Sequence, residues 1–335
     1  MTEVLHTAIS FDAFSSIGVW LNIGVIAGIF TIFALGLQLN VGFTGIFNFG
    51  QAGFMAIGAY TMAIFVTKTA PSIGLDPDSF WTLMLGLLAG ILLAMVFGLI
   101  VGMPSLRLRA DYLAIATIAA AEAIRLTTVN AQELTNGPQG IFGFLSGFDG
   151  IEDGIESAVE SIGWSNPEST FPLFFVVWIV ALLLTFVLWR LQKTPWGRVL
   201  RAVREDEDAA RALGKNAFSY KLQSLVVAAA IGALAGFFLS INLQFINPDS
   251  FLPQFTFIGF ACMILGGLGN YWGVAIGAII FQSVFEGMRF LDDVGITETQ
   301  LSALRFIVLG LVLIGLMAFR PQGILGKREE MVLGE

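Results

Sequence analysis

Few residues in this 335-residue chain are able to do chemistry, and they are clustered. One histidine (His6) and one cysteine (Cys262) leave no disulfide framework, no Cys/His metal set and no His-based triad. No GxxxxGK[ST] phosphate loop occurs, since Gly214-Lys215 and Gly326-Lys327 are followed by Asn216 and Arg328. What remains are amides and charges set inside or beside long apolar runs. Asn40, Asn48 and Gln51 share the stretch 40–54 with Gly42, Gly45, Gly50 and Gly53 and with Phe47, Phe49 and Phe54, and Asn270 follows Gly266, Gly267 and Gly269. Such segments offer backbone and amide groups for non-covalent recognition of a solute, and in lipid they are costly unless they face protein or a cavity. Glu122 and Arg125 stand three residues apart, as do Glu286 and Arg289, so each acid is expected to pair with its own base on one helix face. Isolated acids along a path, which a proton or ion relay would prefer, are not evident.

The elements that must position these residues follow from composition. The chain is 56% hydrophobic and 13% charged, about half the roughly 25% charge of a soluble domain. Apolar runs fall at about 17–40, 43–66, 81–101, 111–129, 171–189, 221–243, 255–288 and 301–319. All but 255–288, which is longer, are near the roughly 20 residues that a bilayer crossing needs. The expected class is an all-α polytopic membrane bundle with about eight spans, read as a single transmembrane domain over 1–335. Bases set its orientation: Arg107 and Arg109, eight bases between Arg190 and Lys221, and Arg320, Lys327 and Arg328 mark cytoplasmic loops. The stretch 126–170, with seven acids and no base, is expected outside, and the N-terminus with it. Residues 1–16 lack the bases of a signal-peptide n-region, and the net charge of −8 argues against nucleic acid.

With residues 244–254 and 289–300 both outside, the run 255–288 must enter and return, turning at Gly266–Asn270. Two short broken legs and two complete, tightly turned spans both satisfy that pattern. Gly45-x-x-Asn48-Phe49 before Ala56-Ile57-Gly58-Ala59 is faintly echoed by Gly267-x-x-Asn270-Tyr271 before Ala275-Ile276-Gly277-Ala278. The glycine pairs Gly24/Gly28, Gly86/Gly90, Gly98/Gly102, Gly232/Gly236 and Gly273/Gly277 are expected to pack helices closely.

The cytoplasmic loop 190–220 carries more information. After Pro195 and Gly197, Arg198, Arg201 and Arg204 recur on one side of a short amphipathic helix. Val199, Ala202, Val203, Ala209, Ala210 and Leu213 form its apolar strip, and Gly214 ends it. Its two readings are a topology-setting loop and a docking helix for a cytoplasmic partner. Outside, Ile151, Ile155, Ala158, Val159 and Ile162 share a helical face opposite acids; that acidic face either receives a partner or is simply solvated.

Asp208-Ala209-Ala210-x-x-x-Gly214 resembles the EAA-x-x-x-G signature of ABC importer permeases, with Asp in place of the leading Glu. The segment Gly45–Tyr60, the turn Leu265–Gly273 and the tail Phe319–Gly326 resemble the corresponding parts of branched-chain amino acid permeases of the LivM type, so the likeness touches most of 40–326. Gln51 departs from that pattern, where many relatives carry His. The resemblance implies a heteromeric importer with a second, LivH-like permease, two cytoplasmic ATPase subunits and an extracytoplasmic substrate-binding protein. ATP would be bound by those partners, with no cofactor in this chain. It implies leucine, isoleucine and valine as the substrate class, and a coupling role for Arg198, Arg201, Arg204, Asp208, Ala209, Ala210 and Gly214. The pathway is expected along Asn40, Gly45, Phe47, Asn48, Phe49, Gly50, Gln51, Gly53, Phe54, Gly266, Gly267, Gly269 and Asn270, where half-helix N-termini would offer N–H groups to a substrate carboxylate. An ion-coupled secondary transporter and a channel for small amphipathic solutes are the rival classes; an intramembrane enzyme fits least.

Overall fold

The computed structural model describes residues 17–161, 170–288, 298–319 and 322–326. Its helices are α1 (Ile17–Thr44), α2 (Gln51–Ser72), α3 (Phe80–Ser105), α4 (Ala110–Asn130), α5 (Ser146–Ser161), α6 (Phe171–Leu191), α7 (Pro195–Glu205), α8 (Glu207–Ala212), α9 (Ala217–Leu243), α10 (Gln254–Gly266), α11 (Tyr271–Gly287) and α12 (Glu298–Phe319). A π turn over Phe65–Thr69 interrupts α2 near its end. Every apolar run of the sequence becomes a helix or, for 255–288, two. Six helices are long and apolar enough to cross a membrane, and α10–α11 forms a pair bent by 117°.

That bend decides between the two readings of 255–288. The 13 residues of α10 rise about 20 Å at ~1.5 Å per residue, short of the ~30 Å hydrocarbon core. The run is therefore a broken element with a short leg and not two complete spans. The other adjustment comes at the second run. Phe43 and Thr44 belong to the end of α1, and helix resumes only at Gln51. The intervening glycines and amides are the physical reason, because their backbone and side chains favour non-helical hydrogen bonding.

One end of the bundle carries a small antiparallel pair, Ile141–Phe142 with Phe245–Ile246. It ties the acidic stretch to the α9–α10 link, both expected outside. Lys68 Nζ donates to the Glu133 carbonyl on the same side (2.6 Å). The helix α5 starts five residues before the expected face and packs Phe148 into the core, with Gly147 against Ser79 and Leu83 of the α3 start. The side chains of Ile151, Ala158 and Val159, and all of Ile162, lie outside the described residues, as do Arg289, Arg320, Lys327 and Arg328. Glu122 and Arg125 do pair, through Arg125 Nη2–Glu122 Oε1 at 2.6 Å and Arg125 Nε–Glu122 Oε2 at 2.9 Å, with Asp249 3.5 Å from the same guanidinium.

At the centre, α9 packs against α1, α2 and α3. All five glycine pairs lie at close contacts between helices, two of them at α9. Gly24 and Gly28 meet α6, Gly86 and Gly90 meet α2, Gly98 and Gly102 meet α9, Gly232 and Gly236 meet α2, and Gly273 and Gly277 meet α10. Where hydrocarbon surrounds the bundle, hydrophobic driving force is absent and such close backbone approach supplies dispersion instead. A Cβ at Gly236 would overlap the Met55 carbonyl, whereas one at Gly154 in α5 meets nothing within 4 Å. Gly236→Val is therefore expected to lower stability by about 1–3 kcal/mol or more by overpacking, while Gly154→Ala should be neutral or gain up to ~1 kcal/mol. Unfolding followed by tryptophan fluorescence in detergent checks both; equal stability of the two variants would contradict the packing assignment.

Candidate translocation and coupling site

The first break begins where α1 ends. Gly45 takes φ +68°, and Ile46 N–H returns to the Asn40 carbonyl (3.0 Å). The chain then runs without helix to Gln51, leaving backbone donors to be satisfied. Phe49 N–H donates to Thr117 Oγ1 of α4 (3.1 Å), Gly50 N–H to Asn48 Oδ1 (2.9 Å) and Ala52 N–H to Thr256 Oγ1 of α10 (3.1 Å). The start of α2 is thus capped by other parts of the protein, and donors expected to meet a carboxylate are engaged. Asn48 Nδ2 donates to Gln51 Oε1 (3.1 Å), and Gln51 Nε2 donates to the Ala228 carbonyl of α9 (2.9 Å). Gln51 is fully buried, in a slot that exists because Gly36 and Gly232 lack side chains.

The sequence-selected residues here divide into three environments. Asn40, Asn48, Gln51, Gly53 and Phe54 are buried; Asn40 Oδ1 accepts from Ser224 Oγ (3.0 Å). Asn48, Gly50 and Phe54 line a void of about 10 Å³ beside Thr117 and Ile124, and a Cβ at Gly50 would lie 2.6 Å from the Thr117 carbonyl. Phe49 stacks on Phe260 at 4.6 Å. Gly45 and Phe47, the latter 46% exposed, reach the surface, and Phe257 of α10, whose ring lies 5.5 Å from that of Phe49, is 43% exposed. A bulky residue at Gly50 would thus displace α4, and Phe47 is the accessible side chain.

The second break holds its backbone in the same manner. Gly267 and Gly269 have φ +116° and +83°, conformations that L side chains rarely adopt. Asn270 Oδ1 accepts from the N–H groups of Trp272 (3.1 Å) and Gly273 (3.4 Å) and so caps α11. Asn48 and Asn270, the paired positions of the internal echo, both turn the entry to a helix by bonding the N–H two residues on. Gln38 of α1 reaches this turn. With its amide oriented to match the two donors it meets, its oxygen accepts from Asn270 N–H (2.9 Å) and Gly269 N–H (2.5 Å). The tail closes the other side: Ile324 and Leu325 donate to the carbonyls of Leu265 (2.9 Å) and Gly266 (3.1 Å), and Asn270 Nδ2 donates to the Leu325 carbonyl (3.1 Å).

The charged cytoplasmic segment is two helices where one was expected. Asp206 is extended (φ −151°, ψ 105°) and ends α7; its Oδ1 caps α8 by accepting from Asp208 N–H and Ala209 N–H, both 2.9 Å. An aspartate prefers that role to a helix interior. At the far end Gly214 (φ +77°) completes a Schellman motif, with Gly214 N–H on the Arg211 carbonyl (2.9 Å) and Lys215 N–H on that of Ala210 (3.1 Å). Val203 and Ala210 are buried against Ala217 and Val199, as the apolar strip required, while Leu213 is 79% exposed beside the exposed Asp208 and Ala209.

The arginines part company. Arg198 donates to the Lys193 carbonyl (3.2 Å). Arg204 turns inward to the Gly42 carbonyl of α1, and the Arg201 guanidinium lies 5.3 Å from the Phe43 ring. Phe43 in turn stacks on Tyr271, the first residue of α11, with centroids 4.8 Å apart and planes at 9°. So Arg201, Phe43 and Tyr271 join the cytoplasmic helix to both breaks. Gln38, Phe43, Thr117, Ser224, Thr256 and Tyr271 carry this geometry without having been singled out as site residues. Gln38 alone had a signal, a lone amide late in an apolar run; hydroxyls inside helices bond locally so often that Thr117 and Thr256 had none.

A family model described as the permease component of branched-chain amino acid transport systems matches residues 19–317. The Escherichia coli high-affinity branched-chain amino acid permease protein LivM is 34% identical over 91% of this chain and 69% of its own length. The companion LivH protein of that organism is 25% identical over 90% of this chain and 92% of its own. A nucleoside ABC transporter permease from Lactococcus lactis, NupC, is 28% identical over 75% of this chain and 74% of its own. No solved structure matches. The glycine breaks, the capped cytoplasmic helices and the tail all lie inside or beside the matched region, and the chain belongs to the family of branched-chain amino acid transport permeases.

Proposed function

We propose that this chain is one translocation subunit of an ATP-driven importer for branched-chain amino acids. A LivH-like permease stands beside it, cytoplasmic ATPase subunits grip α7 and α8 from below, and an extracytoplasmic binding protein delivers substrate from above. The chain carries no phosphate-loop motif, which suits an energy source in separate subunits. The observation that carries this reading is the contact from the cytoplasmic helix into the bundle. Arg204 holds the Gly42 carbonyl, and Arg201, Phe43 and Tyr271 form a row from α7 through α1 to α11. A displacement of α7 by a partner reaches both breaks through side chains already in contact, with no loop to absorb it. The exposed edge of Asp208, Ala209 and Leu213 is the surface left for the ATPase.

The pathway in this reading runs past the exposed side of the first break, where Phe47 and Phe257 present aromatic surface. Because the void there is only about 10 Å³, room for about one water and far below the ~300 Å³ lower end of ligand pockets, the second permease supplies the facing wall. Asn40, Gln51, Gly266 and Gly267 then shape the breaks from behind and do not touch the solute.

In proteoliposomes containing the whole complex, Arg201→Glu combined with Gly214→Pro is expected to uncouple hydrolysis from uptake or to release the ATPase subunits, because proline cannot adopt φ +77° and the charge reversal repels the α1 contact. Unchanged uptake and co-purification would reduce the loop to a topology signal. Phe47→Trp should cut leucine uptake several-fold with basal ATP hydrolysis retained; full uptake would remove Phe47 from the pathway.

A further inference from the structure

Away from the glycine breaks, the bundle contains a cavity of about 660 Å³, bounded by α1, the end of α9, the link to α10, and α10, α11 and α12. Its walls are of two kinds. Phe30 and Phe255, stacked at 6.1 Å and 11°, join Ile258 as an apolar floor. Gln282 of α11 also borders it; the residue is 1% exposed, and its terminal amide nitrogen has no acceptor among the described residues. Asp249 and Glu286 add carboxyl groups to the lining, Asp249 being 77% exposed and 3.5 Å from Arg125.

A buried amide donor left unpaired is disfavoured, and native structures rarely keep one without a reason. Here the reason is chemical complementarity. The cavity lies outward of the α10–α11 turn, so an external solute reaches it first. It offers one desolvated N–H donor, a carboxyl-bearing lining and an aromatic and aliphatic floor, the three features that bind a zwitterion with an apolar side chain.

We propose that this cavity is a receiving site for an aliphatic amino acid. The substrate carboxylate accepts a hydrogen bond from Gln282 Nε2, its ammonium group faces Glu286, and its side chain rests on Phe30, Phe255 and Ile258. The proposal rests on the importer reading above and adds to it a defined site in this chain, ahead of the first break. Its position also links occupancy to the pathway. The helix that supplies Phe255 and Ile258 supplies Thr256, which caps α2, and Phe257 and Phe260, which hold Phe49.

The test uses the assembled transporter in nanodiscs, without ATP or binding protein, and radiolabelled leucine read by scintillation proximity. Saturable binding is expected. Gln282→Leu should weaken it at least tenfold, and leucinamide, which lacks the carboxylate, should compete at least tenfold less well than leucine on the unaltered complex. The second arm needs no mutation and stands if the variant fails to assemble. Absence of leucine binding to the unaltered complex, equal binding by an assembled Gln282→Leu variant, or equal competition by leucinamide would overturn the site. If ATP-driven leucine uptake persists with an unchanged KM in Gln282→Leu, the receiving site fails and the importer reading survives. If the unaltered complex imports no leucine with ATP and binding protein present, the importer reading fails and takes the ligand assignment with it.

Discussion

A backbone N–H or C=O group in hydrocarbon has no water to bond, and each one left unpaired there costs several kcal/mol. Most of the bundle meets that constraint with uninterrupted helix. Two places break the rule, between Thr44 and Gln51 and between Gly266 and Tyr271, and the rest of the structure is arranged to repair them. Thr117, Thr256 and Asn48 take the donors of the first break; Gln38 and Asn270 take those of the second, and the tail donates to its Leu265 and Gly266 carbonyls. Thr117, Thr256 and Gln38 come from three different helices, α4, α10 and α1. The breaks therefore hold the bundle's elements in register, and anything that shifts one of those helices disturbs a break.

That arrangement gives the cytoplasmic helices leverage. The segment 42–45, the turn 267–271, the tail 322–326 and the inward arginines of α7 meet in one layer. A stacked pair of rings is stiff and directional, so the Phe43–Tyr271 contact passes motion from the end of α1 to the start of α11. The Arg201 guanidinium near Phe43 adds a cation–π attraction of about 0.5–1 kcal/mol at such an exposed site. That is too little to hold the fold, yet enough to bias which position α7 takes. Large packing terms fix the bundle, and small ones at this layer set its response.

Much of this was legible before any coordinates. Apolar runs located the long helices, and the distribution of bases set the expected cytoplasmic layer, because both are averages over many residues. The glycine pairs announced their contacts, since a small residue repeated at four-residue spacing has little other use in lipid. The density of Gly, Asn and Gln marked both breaks. What the sequence concealed were the partners. Thr117 and Thr256 look like ordinary helical hydroxyls, and their role depends on helices 60 to 200 residues away. The corner at Asp206 was hidden by an arginine spacing that suits a continuous helix equally well. Phe54 and Gly50 were placed with Phe47 by adjacency, but helix geometry turns the first two into the core and leaves the third outside.

The most direct measurement of the central claim is the number of ATP molecules hydrolysed per substrate imported by the whole complex in proteoliposomes, compared between Tyr271→Leu and Tyr271→Phe. Leucine keeps an apolar side chain at this buried position but removes the stacked ring; phenylalanine keeps the ring. If force passes through the Phe43–Tyr271 stack, hydrolysis continues in Tyr271→Leu while uptake falls, raising the ratio at least tenfold, and Tyr271→Phe retains the ratio of the unaltered complex. An unchanged ratio in Tyr271→Leu, with uptake intact, would show that the cytoplasmic helices act on the bundle by some other route.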